Sequence, residues 1–213
     1  MIDVSTRIAA VDRTVGDRTI EAGQSRTVTL ATTYPATVED VWEAVTDPER
    51  LPRWFAPVSG ELRLGGRYQV ENNAGGTIES CEPPHRFSAT WEFGGGMSWI
   101  ELTVDPQGAD RTRLTLEHIA PEDEHWKTFG PGAVGIGWDL ALMGLNLHLT
   151  TGGGRGEFDE DAWGASPEGL EFVRRSGDGW YAADVAGGTE EPIARERADR
   201  TIAFFSGAEV PDD

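Results

Sequence analysis

Positive charge is the scarcest commodity in this chain. Its 213 residues carry 18 lysines and arginines against 37 aspartates and glutamates, a formal net charge of -19. A surface so acidic repels phosphate backbones and anionic lipid, which argues against nucleic acid as a partner and against membrane insertion. Lysine itself is nearly missing: Lys127 is the only one, and arginine supplies the rest, a usage expected of a GC-rich bacterial genome. Cysteine is also down to one, Cys81, so no internal disulfide can form. Cys81 sits in an alternating apolar stretch just before Pro83-Pro84 and reads as a buried structural thiol. No apolar run approaches the ~20 residues of a membrane span. The start, Met1-Ile2-Asp3-Val4-Ser5, lacks the basic-then-apolar layout of a signal peptide, so the expected location is the cytoplasm.

What is present is core material. Hydrophobic residues make up 38% of the chain, with 8 Trp and 8 Phe, too much for a disordered polymer. The length fits one domain of about 150 residues with extensions. Residues 1–25 are polar and weakly patterned and read as an N-terminal arm, in which Ile8, Val11 and Val15 suit a short helix and Arg18 to Glu21 suit a strand. Arg26 to Tyr34 alternates and is β-branched, hence a strand closed by Pro35. Thr37 with Asp40 three residues on is a helix start, and Val38, Val41, Trp42 and Val45 supply its stripe. Asp47-Pro48 starts a second, brief helix running into Pro52, Trp54 and Phe55.

A meander follows. Short strands near 58–64, 67–72, 76–82, 86–93, 97–105 and 111–118 are separated by Gly65-Gly66, Asn73-Ala74-Gly75, Pro83-Pro84, Gly94-Gly95-Gly96 and Pro106-Gln107-Gly108. Turns this tight pair strands antiparallel, and the absence of crossover helices excludes a parallel sheet. Alternation puts Tyr68 and Val70 on one side of their strand, as it does Phe87, Ala89, Trp91 and Phe93, then Ile100, Leu102 and Val104, and then Leu114, Leu116 and His118. One apolar face therefore needs a cover.

The segment from Ala133 to Leu149 has the length to supply it. Val134, Trp138, Ala141, Leu145 and Leu149 form one stripe, and Ile136, Leu140, Met143 and Leu147 another, so this helix is expected to be buried on both sides. The sheet covers one stripe. The other falls to the tail, residues 151–213, or to a second copy of the chain in a homodimer. In that tail a glycine-rich connector, Thr151 to Gly156, precedes a helix start at Ser166-Pro167-Glu168, with Gly177 and Gly179 placed to break or kink the helix. A last helix starts at Thr189-Glu190-Glu191-Pro192 and ends at Gly207. From Glu157 to Asp213 there are 15 acidic and 5 basic residues, a net of -10; a solvated face explains this, with a cationic partner as the sharper alternative.

Strand, two short helices, six-strand meander and long helix make an α+β helix-grip fold: a curved antiparallel sheet around a long C-terminal helix, over residues 26–150, with extra C-terminal helices. The segments YPATVEDVWEAVTDPERLPRWF, LRLGGRYQV, GTIESCEPPHRFSATWEF, TRLTLEHIA and GIGWDLALMGL resemble the START/birch-pollen-allergen-like (SRPBCC) superfamily. Within it they are most similar to the branch named after the activator of heat-shock-protein-90 ATPase homologue. The resemblance implies a cavity between sheet and helix suited to hydrophobic ligands. The superfamily includes carriers, receptors, cyclases, hydrolases and chaperone activators, so the fold fixes a place and not a chemistry.

Trp54, Tyr68, Val70, Trp91, Ile100, Leu116, His118, Trp138 and Leu142 are the residues expected to line that cavity. The favoured reading is a non-enzymatic protein holding a hydrophobic small molecule or a protein partner, with no cofactor, no metal and no catalytic set. Two alternatives compete. One is a cyclase- or hydrolase-type enzyme using His118 as acid or base with Tyr68 as donor. The other is a chaperone-ATPase activator-like partner protein, borrowed from the family name. Gly130-Pro131-Gly132-Ala133-Val134-Gly135 fits a G-x-G-x-x-G search, but without a preceding strand in a βαβ unit it reads as a helix entry. Gly152-Gly153-Gly154-Arg155 reads as linker rather than as an anion nest. His125, among Glu122, Asp123 and Glu124, matches no zinc spacing.

Overall fold

The structure, a computed structural model, describes residues 4–152 and 160–210. Most of the connector Thr151–Gly156, and with it the Gly153-Gly154-Arg155 stretch read as linker, lies outside the described residues. The elements in order are α1 Val4–Ala9, β1 Asp12–Ile20, β2 Gly23–Tyr34, α2 Val38–Thr46, a 3-10 turn Leu51–Arg53, β3 Val58–Gly60, β4 Arg67–Val70, β5 Gly75–Glu82, β6 Arg86–Phe93, β7 Gly96–Pro106, β8 Thr112–Pro121, α3 Glu124–Phe129, α4 Gly132–Thr151, α5 Glu160–Gly164, α6 Pro167–Ala186 and α7 Glu191–Ser206. The strands form one eight-stranded antiparallel curved sheet in the order β1-β2-β8-β7-β6-β5-β4-β3. This is the expected α+β helix-grip pattern, with β1 as an additional edge strand where the sequence suggested an arm.

The chain divides into two compact units. One comprises the chain up to Leu30, Pro121–Leu140 and the described residues from 160 onward; the other comprises Ala31–Ala120 and the chain from Ala141 to the connector. Both β2 and α4 run through the two.

Helix α4 departs from ordinary amphipathicity. From Gly132 to Leu149 none of its residues is exposed. In the first unit its Gly132–Leu140 part is packed by the tail helices. A Cβ on Gly135 would stand 2.2 Å from Trp180 Cε2, so only glycine admits that indole against the helix backbone. The glycines of the G-x-G-x-x-G stretch thus serve helix entry and packing. Gly177 does not break α6, which runs uninterrupted to Ala186. It brings α7 close instead: a Cβ there would meet Ile202 Cγ1 at 2.3 Å.

The same unit contains a buried ion pair. Asp139 of α4 accepts from Arg13 Nη2 at 2.8 Å and Arg13 Nε at 3.0 Å, from Trp180 Nε1 at 3.0 Å and from the Ser176 hydroxyl. Asp139 is 2% exposed. Burial pushes its carboxyl above the usual range, and the Arg13 guanidinium beside it pulls the other way. One carboxylate therefore ties β1 and α6 to α4 with its lone pairs satisfied.

Three further local expectations are corrected. Cys81 is exposed, because a register shift between Ile78 and Ser80 breaks the alternation of β5. Phe93, expected on the inward side, is 62% exposed at the β6–β7 turn, beyond the reach of the core. The Asp47-Pro48 helix shrinks to the Leu51–Arg53 turn, since Pro52 supplies no amide hydrogen to extend it. Between β8 and α4 lies α3, capped by Asp123, whose carboxylate accepts from Trp126 N at 2.9 Å.

Replacing Asp139 by alanine leaves the Arg13 guanidinium buried without its partner. The expected loss is about 3–5 kcal/mol of unfolding free energy, read from urea denaturation. A loss within the ~0.5 kcal/mol of an ordinary surface substitution contradicts the anchoring role.

Candidate functional site

The inward face is set by register. Tyr68 stands opposite Gly76, Trp91 opposite Ser98, Ala89 opposite Ile100, Ile100 opposite His118 and Leu102 opposite Leu116. Since side chains alternate, Tyr68, Trp91, Ile100, Leu116 and His118 project from one face, with Val70 two residues beyond Tyr68. Tyr68, Val70, Ile100, Leu116 and His118 are buried, and Trp91 is half-buried. These residues and Leu142, also buried, belong to the same unit.

Two polar groups on that face are already engaged. The Tyr68 hydroxyl donates to the Thr90 carbonyl at 2.6 Å, and burial raises the phenol above its ordinary pKa. The Ser98 hydroxyl donates to the Trp91 carbonyl at 3.1 Å and lies 2.9 Å from His118 Nε2. A hydroxyl has one proton to give, so His118 donates through Nε2–H and its Nδ1 carries the lone pair. The Trp91 ring meets the imidazole edge-on, with centroids 6.2 Å apart. His118 is 2% exposed, and burial lowers its pKa from 6.5 to about 4. It is a neutral, oriented imidazole inside an aromatic wall.

The other expected lining residues fall differently. Trp54 donates from Nε1 to the Ala44 carbonyl at 2.8 Å, and its own carbonyl lies where a Cβ on Gly144 would be, 2.6 Å away. It therefore fastens the segment after α2 to α4. Trp138 is buried but belongs to the other unit, with Asp139. Leu142 offers its carbonyl to the Tyr34 hydroxyl at 3.2 Å.

Sequence reasoning missed Ser98, Thr90, Arg50 and His148. Ser98 and Thr90 gave no signal beyond their place beside Trp91 in register. His148 did give one: a histidine in the last turn of a largely apolar helix needs a partner. Among the described residues no group of three His, Cys, Asp or Glu side chains is placed to hold a metal. His125 is exposed and packs on the Phe129 ring, with centroids 4.9 Å apart.

Comparison with known proteins follows the same segment. The family model described as activator of Hsp90 ATPase homolog 1-like protein matches residues 35–150. No curated protein matches the chain. The solution structure of CalU16 from Micromonospora echinospora is 36% identical, covers 84% of this chain and 97% of its own, and superposes with a TM-score of 0.71. DynU16, a protein in the dynemicin biosynthetic locus, is 27% identical over 60% of this chain and 48% of its own, with a TM-score of 0.54. An HSP90 activator from Plasmodium falciparum, 19% identical over 60% of this chain and 96% of its own with a TM-score of 0.51, shares the fold. The likeness to CalU16 reaches beyond the family-model segment into the extensions.

The depressed pKa of His118 has a consequence for stability. Between about 4 and 6.5 the unfolded imidazole holds a proton that the folded one does not. Stability therefore falls as pH drops through that window and levels off below it, by an amount of order 3 kcal/mol. Urea unfolding of His118→Leu at several pH values is expected to show a shallower acid-side decline than the unsubstituted protein. Equal declines contradict a buried neutral imidazole.

Proposed function

The chain belongs to the activator of Hsp90 ATPase homolog 1-like family, and on that premise we propose that it is a non-enzymatic binding protein for a hydrophobic small molecule. The ligand lies against the inward face of the meander and the Ala141–Thr151 part of α4. Tyr68, Val70, Trp91, Ile100, Leu116 and Leu142 supply apolar surface, and His118 supplies one oriented hydrogen-bonding group. A mostly apolar lining with few fixed polar atoms is what small-molecule sites generally present.

The observation that carries this reading is the state of His118. An imidazole titrating at about 4 is a weak base at neutral pH, well below the matched pKa that general acid–base catalysis favours. The Tyr68 proton, which a cyclase or hydrolase mechanism would use, is already given to the Thr90 carbonyl. Both groups suit holding a ligand better than turning it over. The relatives lend support from another direction, since one of them comes from the dynemicin biosynthetic locus.

Native mass spectrometry of protein purified under gentle conditions, paired with thermal shifts across a lipid and polyketide panel, tests the proposal. A true ligand at a hundredfold excess over its Kd adds about 2.7 kcal/mol and raises the melting temperature by several degrees. A protein of bare mass whose melting point no panel compound moves overturns the small-molecule reading.

A further inference from the structure

Three phenyl rings gather where the end of α7 meets α3. Phe129 and Phe204 have ring centroids 5.9 Å apart, and Phe204 and Phe205 meet edge to face at 5.5 Å. Beneath the rings the two helices are fastened together. The Thr201 hydroxyl lies 2.7 Å from the Phe129 carbonyl, and Arg197 Nε donates to the Lys127 carbonyl at 3.1 Å. The anchorage holds the rings at the surface. Phe204 is 63% exposed, more than any other large hydrophobic side chain among the described residues, and Phe129 and Phe205 are half-buried. Charge around this strip has one sign. α7 has no basic residue in its last turn, so no side-chain cation offsets the negative end of its dipole. Residues 207–213, which follow, carry Glu209, Asp212 and Asp213 and no base. Before and at the start of α3, Glu122, Asp123 and Glu124 outnumber Lys127, whose ammonium is already 2.6 Å from Glu124 Oε1. The Arg197 guanidinium is engaged inward, with the Lys127 carbonyl and with Asp184 at 3.4 Å.

We propose that the Phe129–Phe204–Phe205 strip is a docking surface for a basic, arginine-bearing protein segment. A guanidinium is drawn to the negative face of a phenyl ring, and its aliphatic stem covers apolar surface that water otherwise meets. The carboxylates beside the rings and the uncompensated end of α7 add attraction of the same sense. The other occupants fit less well. A second copy of the chain brings a net charge of -19 against the same charge, and an anionic membrane is repelled for the same reason. The strip belongs to the unit that does not hold Tyr68, Trp91 and His118, so the proposal stands apart from the small-molecule reading.

Amide chemical-shift titration of the full chain with a short peptide of alternating arginine and leucine, acetylated and amidated at its ends, tests the proposal. The largest shifts are expected in α3 and from Phe204 to Ala208. Affinity is expected to fall about fivefold in Phe204→Ser, which removes a ring and leaves the net charge alone, and to recover in Phe204→Tyr. Equal affinity in Phe204→Ser, or shifts confined to other acidic surfaces, overturns the proposal, because attraction to net charge alone then explains the binding. A peptide with citrulline in place of arginine is expected to lose its hold; if it binds as well, the surface is simply apolar and the proposal fails. Movement of the same amides on dilution without peptide assigns the strip to a second copy and also overturns it. The shift map and the citrulline comparison use the unsubstituted protein, so they decide the matter even if a variant fails to fold.

Discussion

The structure depends on one constraint: α4 is a helix with no side that water can take. From Gly132 to Leu149 every residue is buried or half-buried, so each flank has to be met by something apolar or by an exact polar partner. In one unit the sides of Gly132–Leu140 are met by α6 and α7, with Trp180 seated on the bare backbone of Gly135. In the other, Ala141–Thr151 receives the Tyr34 hydroxyl, the Trp54 carbonyl and the Arg50 guanidinium. The long C-terminal extension is thus part of how the helix is kept dry.

The three polar residues discussed on or facing this apolar framework behave alike in one respect. Asp139, His118 and His148 are each met by specific polar partners. They differ in what the partner is. Asp139 meets a cation and stays an anchor. His118 meets a hydroxyl and stays neutral because charging it in that aromatic setting is costly. His148 meets the Arg50 guanidinium, which can only donate to it. Meanwhile the net charge of -19 is spread over exposed carboxylates, many paired along helix turns as Glu171 is with Arg174 and Arg175, and these contribute little to the fold.

Much of the architecture was legible in the pattern of residues. The inward sets Tyr68/Val70, Ile100/Leu102/Val104 and Leu114/Leu116/His118 follow from alternation alone, because strands paired in register repeat the same two-residue period. The double stripe of α4 announced burial on both sides. The failures have physical causes of their own. Cys81 and Phe93 sit where alternation ceases to govern, at a register shift and at a turn. β1 was obscured because Val15 is its one buried residue, leaving little hydrophobic period to detect. The polar half of the candidate site was illegible for a different reason. Ser98 reaches His118 diagonally between strands, and Arg50 reaches His148 across 98 positions of sequence, distances that no local pattern encodes.

The central claim, that α4 is enclosed from Gly132 to Leu149, is tested most directly by native-state hydrogen exchange of its own amides. Enclosure predicts that the amides from Ile136 to Leu147 exchange only through global unfolding, with free energies equal to that of denaturant-induced unfolding and at least as high as those of β7 and β8. If they exchange through local opening, several kcal/mol more easily than the strands, the helix is not held as described.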